Sequence, residues 1–466
     1  MTSTTTAPGD GTPVLGTRHK LRVAIGSAVG TTVENYDFIG YGTAAALYFG
    51  HVFFPESDPT TGLLLSFATL GIGFAARPLG GIIGGYLGDK VGRKPVLVTS
   101  LLVMGLATVA IGALPTYASV GVLAPVLLVI VRVIQGLAFG AEWGGAILMT
   151  YEHAPWRRKG AYTAIPQAGF PLGLLLANLA FLGSAGLPGD WAWRVPFLLS
   201  SVLILAGMYI RLRVEESPEF EEAKDQGTLA KNPLVTVIRQ DWRNLVRAFG
   251  LRVAETAGYA VSITYVTSYV ESNGLATRPH TILAIVVAAL LGLPATLLWG
   301  RLTDRVGRRP VYLFGTTLML AFGVPMFLMV NTGQVGMVIA VFAIAFAFCH
   351  NSLAGTQGSW FAELFSTETR SSGASLAYQL AAVVSGFTAF WAVSLYEAFG
   401  WAGPAVLFMG YGAIGLVAAL VTPETYGPAR RAEAERATAA ALAASTPDEP
   451  GSTRSPQAAD PVASRA

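Results

Sequence analysis

Apolar runs of about 20 residues follow one another from near residue 22 to near residue 421, with short polar breaks between them. That length is what a helix needs to cross a hydrocarbon core about 30 Å thick. A backbone in lipid must satisfy its own hydrogen bonds, so runs this long cross as helices. Twelve spans are expected: 22–50, 62–87, 94–114, 121–149, 160–184 and 192–212, then 250–270, 280–300, 310–330, 336–360, 371–396 and 402–421. The chain is 53% hydrophobic and 13% charged, against about 25% charged in a soluble domain. One water-soluble core is excluded, and the fold class is an all-α polytopic membrane protein.

Three stretches fall outside the spans. Residues 1–21 form a Thr/Pro/Gly-rich tail, with no cleavable signal peptide expected. Residues 213–249 are charged and polar and are expected to link two halves, and 423–466 form a largely disordered tail. Lysine and arginine decide the orientation. With the amino terminus inside, 26 of the 31 fall in the inner loops, linker and tails, and only Arg194 and Arg278 in outer loops. That bias places both termini in the cytoplasm of a multi-pass cell-membrane protein.

The net charge of +3 is too small to imply nucleic acid. Cys349 is the single cysteine, so no internal disulfide or paired-cysteine site exists. His19, His51, His153, His280 and His350 are scattered without metal-ligand spacing. No metal or other cofactor is expected.

One stretch occurs twice. Gly85-Tyr86-Leu87-Gly88-Asp89-Lys90-Val91-Gly92-Arg93-Lys94-Pro95 returns as Gly300-Arg301-Leu302-Thr303-Asp304-Arg305-Val306-Gly307-Arg308-Arg309-Pro310, 215 residues later. An echo at about half the chain length points to two similar halves, 22–212 and 250–422. Glycines allow the tight turn between helices, and an aspartate among basic residues makes a charge cluster at the membrane surface.

These loops resemble the signature between the second and third helices of each half in the major facilitator superfamily. Further stretches resemble its metabolite:proton symporters, the shikimate-permease-like branch most: Val33-Glu34-Asn35-Tyr36-Asp37-Phe38 with Tyr41-Gly42, Arg77-Pro78-Leu79-Gly80-Gly81, Arg132-Val133-Ile134-Gln135-Gly136, Gly140-Ala141-Glu142-Trp143-Gly144-Gly145, and Glu363-Leu364-Phe365 to Arg370-Ser371-Ser372-Gly373. The resemblance implies two pseudo-symmetric six-helix bundles. It also implies a gating network in which Asp89 and Arg93 hold the bundles together, with Asp304 and Arg308 as their second-half counterparts. Arg77 and Glu142 are read as lying toward the cytoplasmic ends of their helices, in that network.

Glu34, Asp37, Arg77, Arg132, Glu142 and Glu255 would together cost over roughly 15 kcal/mol if each faced lipid. They must face one another or water. Glu34 and Asp37 share a face of the first helix, continued by Tyr41. Arg132 reaches a similar depth, and Gln135 belongs to the same motif. The reading is a midplane cluster in which Arg132 holds either the substrate's anionic group or the carboxylates, and protonation of one carboxylate is the coupling event. Arg252, Glu255 and Tyr259 form a polar stripe on the seventh helix. There Arg252 and Glu255 lie near the inner end, and Tyr259 is the cavity candidate. His350, Asn351, Gln357 and Trp360 do the same on the tenth helix, and Gln167 marks the fifth.

The function expected is secondary active transport: proton-coupled uptake of a small carboxylate-bearing metabolite by alternating access. The metabolite is an organic acid or a zwitterion such as proline or betaine, and the working unit a monomer in the lipid bilayer. The alternatives are a facilitator or drug/proton antiporter of the same fold, a membrane-embedded enzyme, or a sensor. The tail lacks the sustained apolar heptads associated with the osmosensory betaine branch.

Overall fold

The computed structural model describes residues 17–91, 93–140, 145–212, 233–366 and 369–427, with residues 432 and 436 of the tail. Twelve long helical segments, several broken by short irregular turns, make up most of the described residues. Helix α1 runs Thr17–Ala44, then a π-helical turn Ala45–Phe49, then Gly50–Phe53. It is followed by α2 (Pro59–Val91), α3 (Arg93–Ala113), α4 (Leu123–Gly140, then Gly145–His153), α5 (Trp156–Ser184) and α6 (Trp191–Leu212). The second half begins with α7 (Trp242–Tyr259, a π turn Ala260–Tyr265, then Val266–Ser272), α8 (Arg278–Val306) and α9 (Arg308–Val330). It ends with α10 (Val335–Ile344, a π turn Ala345–His350, then Asn351–Leu364), α11 (Arg370–Phe399) and α12 (Ala402–Val421). Thr17–Gly427 forms one unit.

Nine of these segments are long and apolar enough to cross a membrane, among the described residues. The apolar stretch of α3 is shorter, Val98–Ala113. The other two, α1 and α7, are the helices that carry Glu34 with Asp37 and Arg252 with Glu255. Leu205 on α6 and Val406 on α12 face outward at 72% and 66% exposure, as apolar side chains against lipid do.

Two boundaries differ from expectation, and both relocate a charge. Part of the expected linker is helical, Pro233–Gln240, and α7 starts at Trp242 rather than near 250. Its first turns carry Arg243 and Arg247 beside Trp242 and Val246, a mixed surface that hydropathy reads as linker. At 1.5 Å per residue, Arg252 therefore lies about 15 Å into the helix, not at its end. Likewise α2 continues to Val91, which leaves Arg77 about 21 Å from that end and near mid-helix.

Helices α2 and α4 touch backbone to backbone. A Cβ on Gly140 would lie 1.9 Å from the Arg77 carbonyl oxygen, and one on Gly136 would lie 2.1 Å from that of Gly73. Only glycine permits this approach. It carries the Arg132 side chain onto α2, where a Cβ on Gly73 would meet Arg132 Nε at 2.5 Å.

Candidate functional site

A cavity of about 80 Å³ opens between the halves. Asn35, Phe38 and Thr43 of α1 line it, with Phe74 and Arg77 of α2 and Phe170 of α5. The second half contributes Arg252, Thr256 and Tyr259 from α7, His350 from α10, and Tyr378 and Ser385 from α11. Two arginines, one from each half, thus face the same chamber. No aspartate or glutamate lines it among the described residues.

Aromatic rings set the position of Arg77. Its guanidinium carbon lies 3.9 Å from the Phe139 centroid, 5.1 Å from Phe74 and 5.3 Å from Phe38, distances suited to cation–π attraction. Its Nε donates to Gln379 Oε1 at 3.1 Å, and its Nη2 has no hydrogen-bond partner. Arg252 is ion-paired with Glu255, donates to Gln357 Oε1 at 2.9 Å and sits 3.6 Å from the Tyr378 centroid. Its Nε is also unpartnered. Buried guanidinium donors without partners are costly unless something anionic or polar meets them. Tyr378 is common to both arginines, 5.7 Å from Arg77.

His350 lies among Phe346, Phe170 and Tyr259, with centroid separations of 5.0, 5.0 and 5.3 Å. Its Nε2 is 3.4 Å from Glu255 Oε1, and its Nδ1 is 3.4 Å from the Glu255 carbonyl oxygen. Tyr259 and His350 thus line the cavity as residues of the two helical stripes.

The midplane cluster forms a separate layer. Asp37, Arg132, Tyr41, Gln135 and Glu34 are buried and stand behind the cavity wall. Arg132 is fully buried, donates to Gln135 Oε1, and has Tyr41 and Phe38 rings at 3.8 and 4.5 Å from its guanidinium carbon. Gln135 Nε2 donates to Thr108 Oγ1 at 2.7 Å, and Thr108 donates to the Met104 carbonyl oxygen. The Tyr41 and Thr69 hydroxyls share a 2.6 Å hydrogen bond. Neither Asp37 oxygen meets strict hydrogen-bond geometry; the Thr108 hydroxyl is a polar neighbour, and Arg132 acts on it through space. Glu34 is within electrostatic reach of Asp37 and of Arg77. The ring of Phe38 separates the two layers, close to Arg132 on one count and to Arg77 on the other.

Depth along a helix does not say which way a side chain turns, and this is where expectation and structure part. Arg77 and Arg252 were both assigned to helix ends, yet they line the cavity, while Arg132 is packed behind Phe38 and Tyr41. Gln357 holds Arg252 and donates to the Tyr312 hydroxyl at 2.9 Å. Asn351 Nδ2 donates to the Gly292 carbonyl oxygen, and Trp360 Nε1 to that of Pro423. Gln167 crosses between halves to the Ala354 carbonyl oxygen at 3.0 Å. None of these four lines the chamber. Phe74, Phe139 and Phe170 give no sequence signal, and Phe38 only its place in the quoted motif, because an aromatic in an apolar run reads the same against lipid as against a cavity.

At the end bearing the repeated loops, Asp304 reaches across to the start of α5. Its carboxylate accepts the Gly160 and Ala161 N–H groups at 2.8 Å each, a negative charge at a helix N-terminus. Arg308 binds Asp304 at 2.9 Å and Glu363 at 3.0 Å, with no exposure to solvent. Glu424 accepts the N–H groups of Arg308 and Arg309 at the head of α9. The side chains of Asp89 and Arg93, and Glu142 entirely, lie outside the described residues. At the opposite end Thr60 donates to Glu397 at 3.2 Å, and Arg278, paired with Glu271, lies over the Tyr48 ring at 4.5 Å.

A family model described as sugar (and other) transporter matches residues 23–247 and 232–429. The chain is 36% identical over 425 residues to an inner membrane metabolite transport protein, YhjE, of Escherichia coli, covering 89% of this chain and 96% of that one. It is 36% identical over 433 residues to the shikimate transporter of the same organism, covering 90% and 98%. Against the Escherichia coli proline/betaine transporter it is 33% identical, covering 87% and 84%. Among solved structures, the proton:xylose symporter XylE bound to 6-bromo-6-deoxy-D-glucose superposes with a TM-score of 0.68 at 18% identity, over 88% of this chain and 97% of that one.

Proposed function

The chain belongs to the sugar (and other) transporter family of the major facilitator superfamily, and on that premise we propose that it takes up a small organic acid together with protons. The observation that carries this reading is the charge of the cavity wall: Arg77 and Arg252, from opposite halves, with no lining carboxylate among the described residues. Two guanidiniums offer paired donors to a carboxylate, and the rings of Phe170, Tyr259 and Tyr378 offer an apolar surface to its carbon skeleton. Closing both halves on one anion is a way for substrate to favour the state in which the bundles approach.

Asp37 is the proton-carrying group. An ionised carboxylate without a hydrogen bond in a dry setting is costly, so its charge is tolerable while Arg132 stays close. Movement of α1 against α4 changes that distance and trades the guanidinium for a proton. Asp304, Arg308 and Glu363 form the gate at the repeated-loop end, which the lysine and arginine bias assigns to the cytoplasm. Both termini lie there, a monomer suffices, and the proton gradient is the only energy source, without a cofactor.

A second reading is a zwitterion substrate. It is favoured by the 33% identity to a proline/betaine transporter and by the aromatic lining, which can meet an ammonium group. Uptake by proteoliposomes separates the two. A labelled panel of shikimate, 2-oxoglutarate, citrate, proline and betaine is offered under an inward proton gradient, then with an ionophore. Accumulation of an acid that collapses with the gradient is expected. Accumulation of proline or betaine alone overturns the acid, and uptake that only equilibrates overturns the symport.

A further inference from the structure

Glu255 and His350 have no part in the cycle above, yet they form a buried acid–base pair at the cavity wall. We propose that this pair takes up one proton each time a substrate anion draws Arg252 away from Glu255, making it a second coupling site, in the second half. The inference rests on the organic-acid reading of the cavity.

The geometry states the exchange. Arg252 Nη1 now serves Glu255 and Gln357, both at once. Arg252 also lines the cavity, whereas Glu255 stands behind it. A carboxylate entering the chamber competes with Glu255 for the same guanidinium. If it wins, Glu255 is left 3% exposed without its counter-ion, and an uncompensated buried charge costs several kcal/mol.

His350 is built to replace that counter-ion. Its Nδ1 is within hydrogen-bond reach of the Glu255 carbonyl oxygen at 3.4 Å, and its Nε2 stands 3.4 Å from Glu255 Oε1, an ion-pair distance with no hydrogen bond formed. A neutral imidazole has one N–H and can serve only one of two acceptors, whereas an imidazolium serves both. In this exchange the proton is taken from the water that enters the chamber with the substrate, and goes onto the ring nitrogen that lacks one. It leaves again when the anion departs and Arg252 returns to Glu255. Among the described residues, Arg77 is the one further charged side chain lining the cavity. Tyr259 of α7, Tyr312 of α9 and Tyr378 of α11 surround the group as neutral phenols. Phe170 of α5 and Phe346 of α10 are apolar. Arg77 of α2, on the same cavity wall, repels Arg252 and so favours its release toward an anion.

The exchange can be imitated without substrate. In Arg252→Gln the guanidinium is already gone, so His350 is expected to carry both protons at neutral pH. Imidazole nitrogen resonances of histidine-labelled protein in detergent, assigned with His350→Gln, read this directly. The native protein should show the neutral ring, Arg252→Gln the imidazolium, and Arg252→Gln with Glu255→Gln the neutral ring again. A neutral ring in both native and Arg252→Gln protein overturns the proposal, as does an imidazolium that persists in the double variant. Should Arg252→Gln fail to fold, Arg252→Met at neutral pH and native protein with added shikimate are compared for the same signal, and no change in either overturns it. Uptake by native protein that ignores the proton gradient would defeat the symport reading alone, and the resonances would still decide the pair.

Discussion

The guanidinium of Arg252 lies 3.6 Å from the ring centroid of Tyr378, and the same ring stands 5.7 Å from the guanidinium of Arg77. One tyrosine on α11 thus lies beside the two cationic groups of the cavity, one from each half. Like charges facing one chamber are held there by aromatic faces, by Gln379 at Arg77, and by Glu255 and Gln357 at Arg252. An anion relieves their repulsion, so substrate binding and approach of the halves reinforce each other.

Replacing either arginine should weaken substrate. Arg77→Gln and Arg252→Gln each lose a charge-assisted contact of about 1.5–3 kcal/mol, which corresponds to about a ten- to hundred-fold higher KM. Initial-rate uptake of the acid found with the panel checks this. Unchanged KM in both variants would remove them from the binding site.

Asp37→Asn should abolish accumulation while leaving counterflow, because exchange of substrate across an equilibrated membrane needs no net proton movement. Its uptake should also lack the rise expected of the native protein as outside pH is lowered. An Asp37→Asn protein that still concentrates substrate on a proton gradient would exclude Asp37 as the carrier. Arg132→Lys should likewise lose accumulation in the same uptake assay, since an ammonium cannot reproduce the planar guanidinium beside the Tyr41 and Phe38 rings.

Asp304→Ala removes the acceptor for Gly160 and Ala161 N–H and one partner of the buried Arg308. Transport rate should fall several-fold, with substrate affinity held within about twofold, because the contact adjusts the balance of two states. Parallel equilibrium-binding and uptake measurements decide the matter. A large loss of affinity with unchanged rate would contradict a gating role.

Gly140→Ala puts a Cβ 1.9 Å from the Arg77 carbonyl oxygen. Helices α2 and α4 must separate, at about 1–3 kcal/mol for overpacking, and the thermal midpoint in detergent should drop. Gly410→Ala, where an added Cβ meets nothing, serves as the control and should leave the midpoint unchanged.

The number, order and approximate limits of the helices were legible in the chain, because a span long enough to cross a bilayer announces itself by composition alone. So were the two halves, through a loop repeated at Asp89 and Asp304, and the group of buried charges that no lipid-facing position could hold. Sequence also put Arg252 and Glu255 on one stripe, where the structure pairs them, whereas His350 and Gln357 share a stripe of which only His350 lines the cavity. What it could not convey was rotation and neighbour. Arg132 and Arg77 are both arginines within apolar helices, and only the packing of α4 on α2 through Gly136 and Gly140 turns one behind Phe38 while the other joins the cavity wall. The unseen extension of α7 back to Trp242 moved Arg252 from a surface to a chamber. Periodicity reports what a helix can bury on one face, whereas a cavity is made by the faces that several helices fail to bury against each other, and that is settled only when all of them are packed.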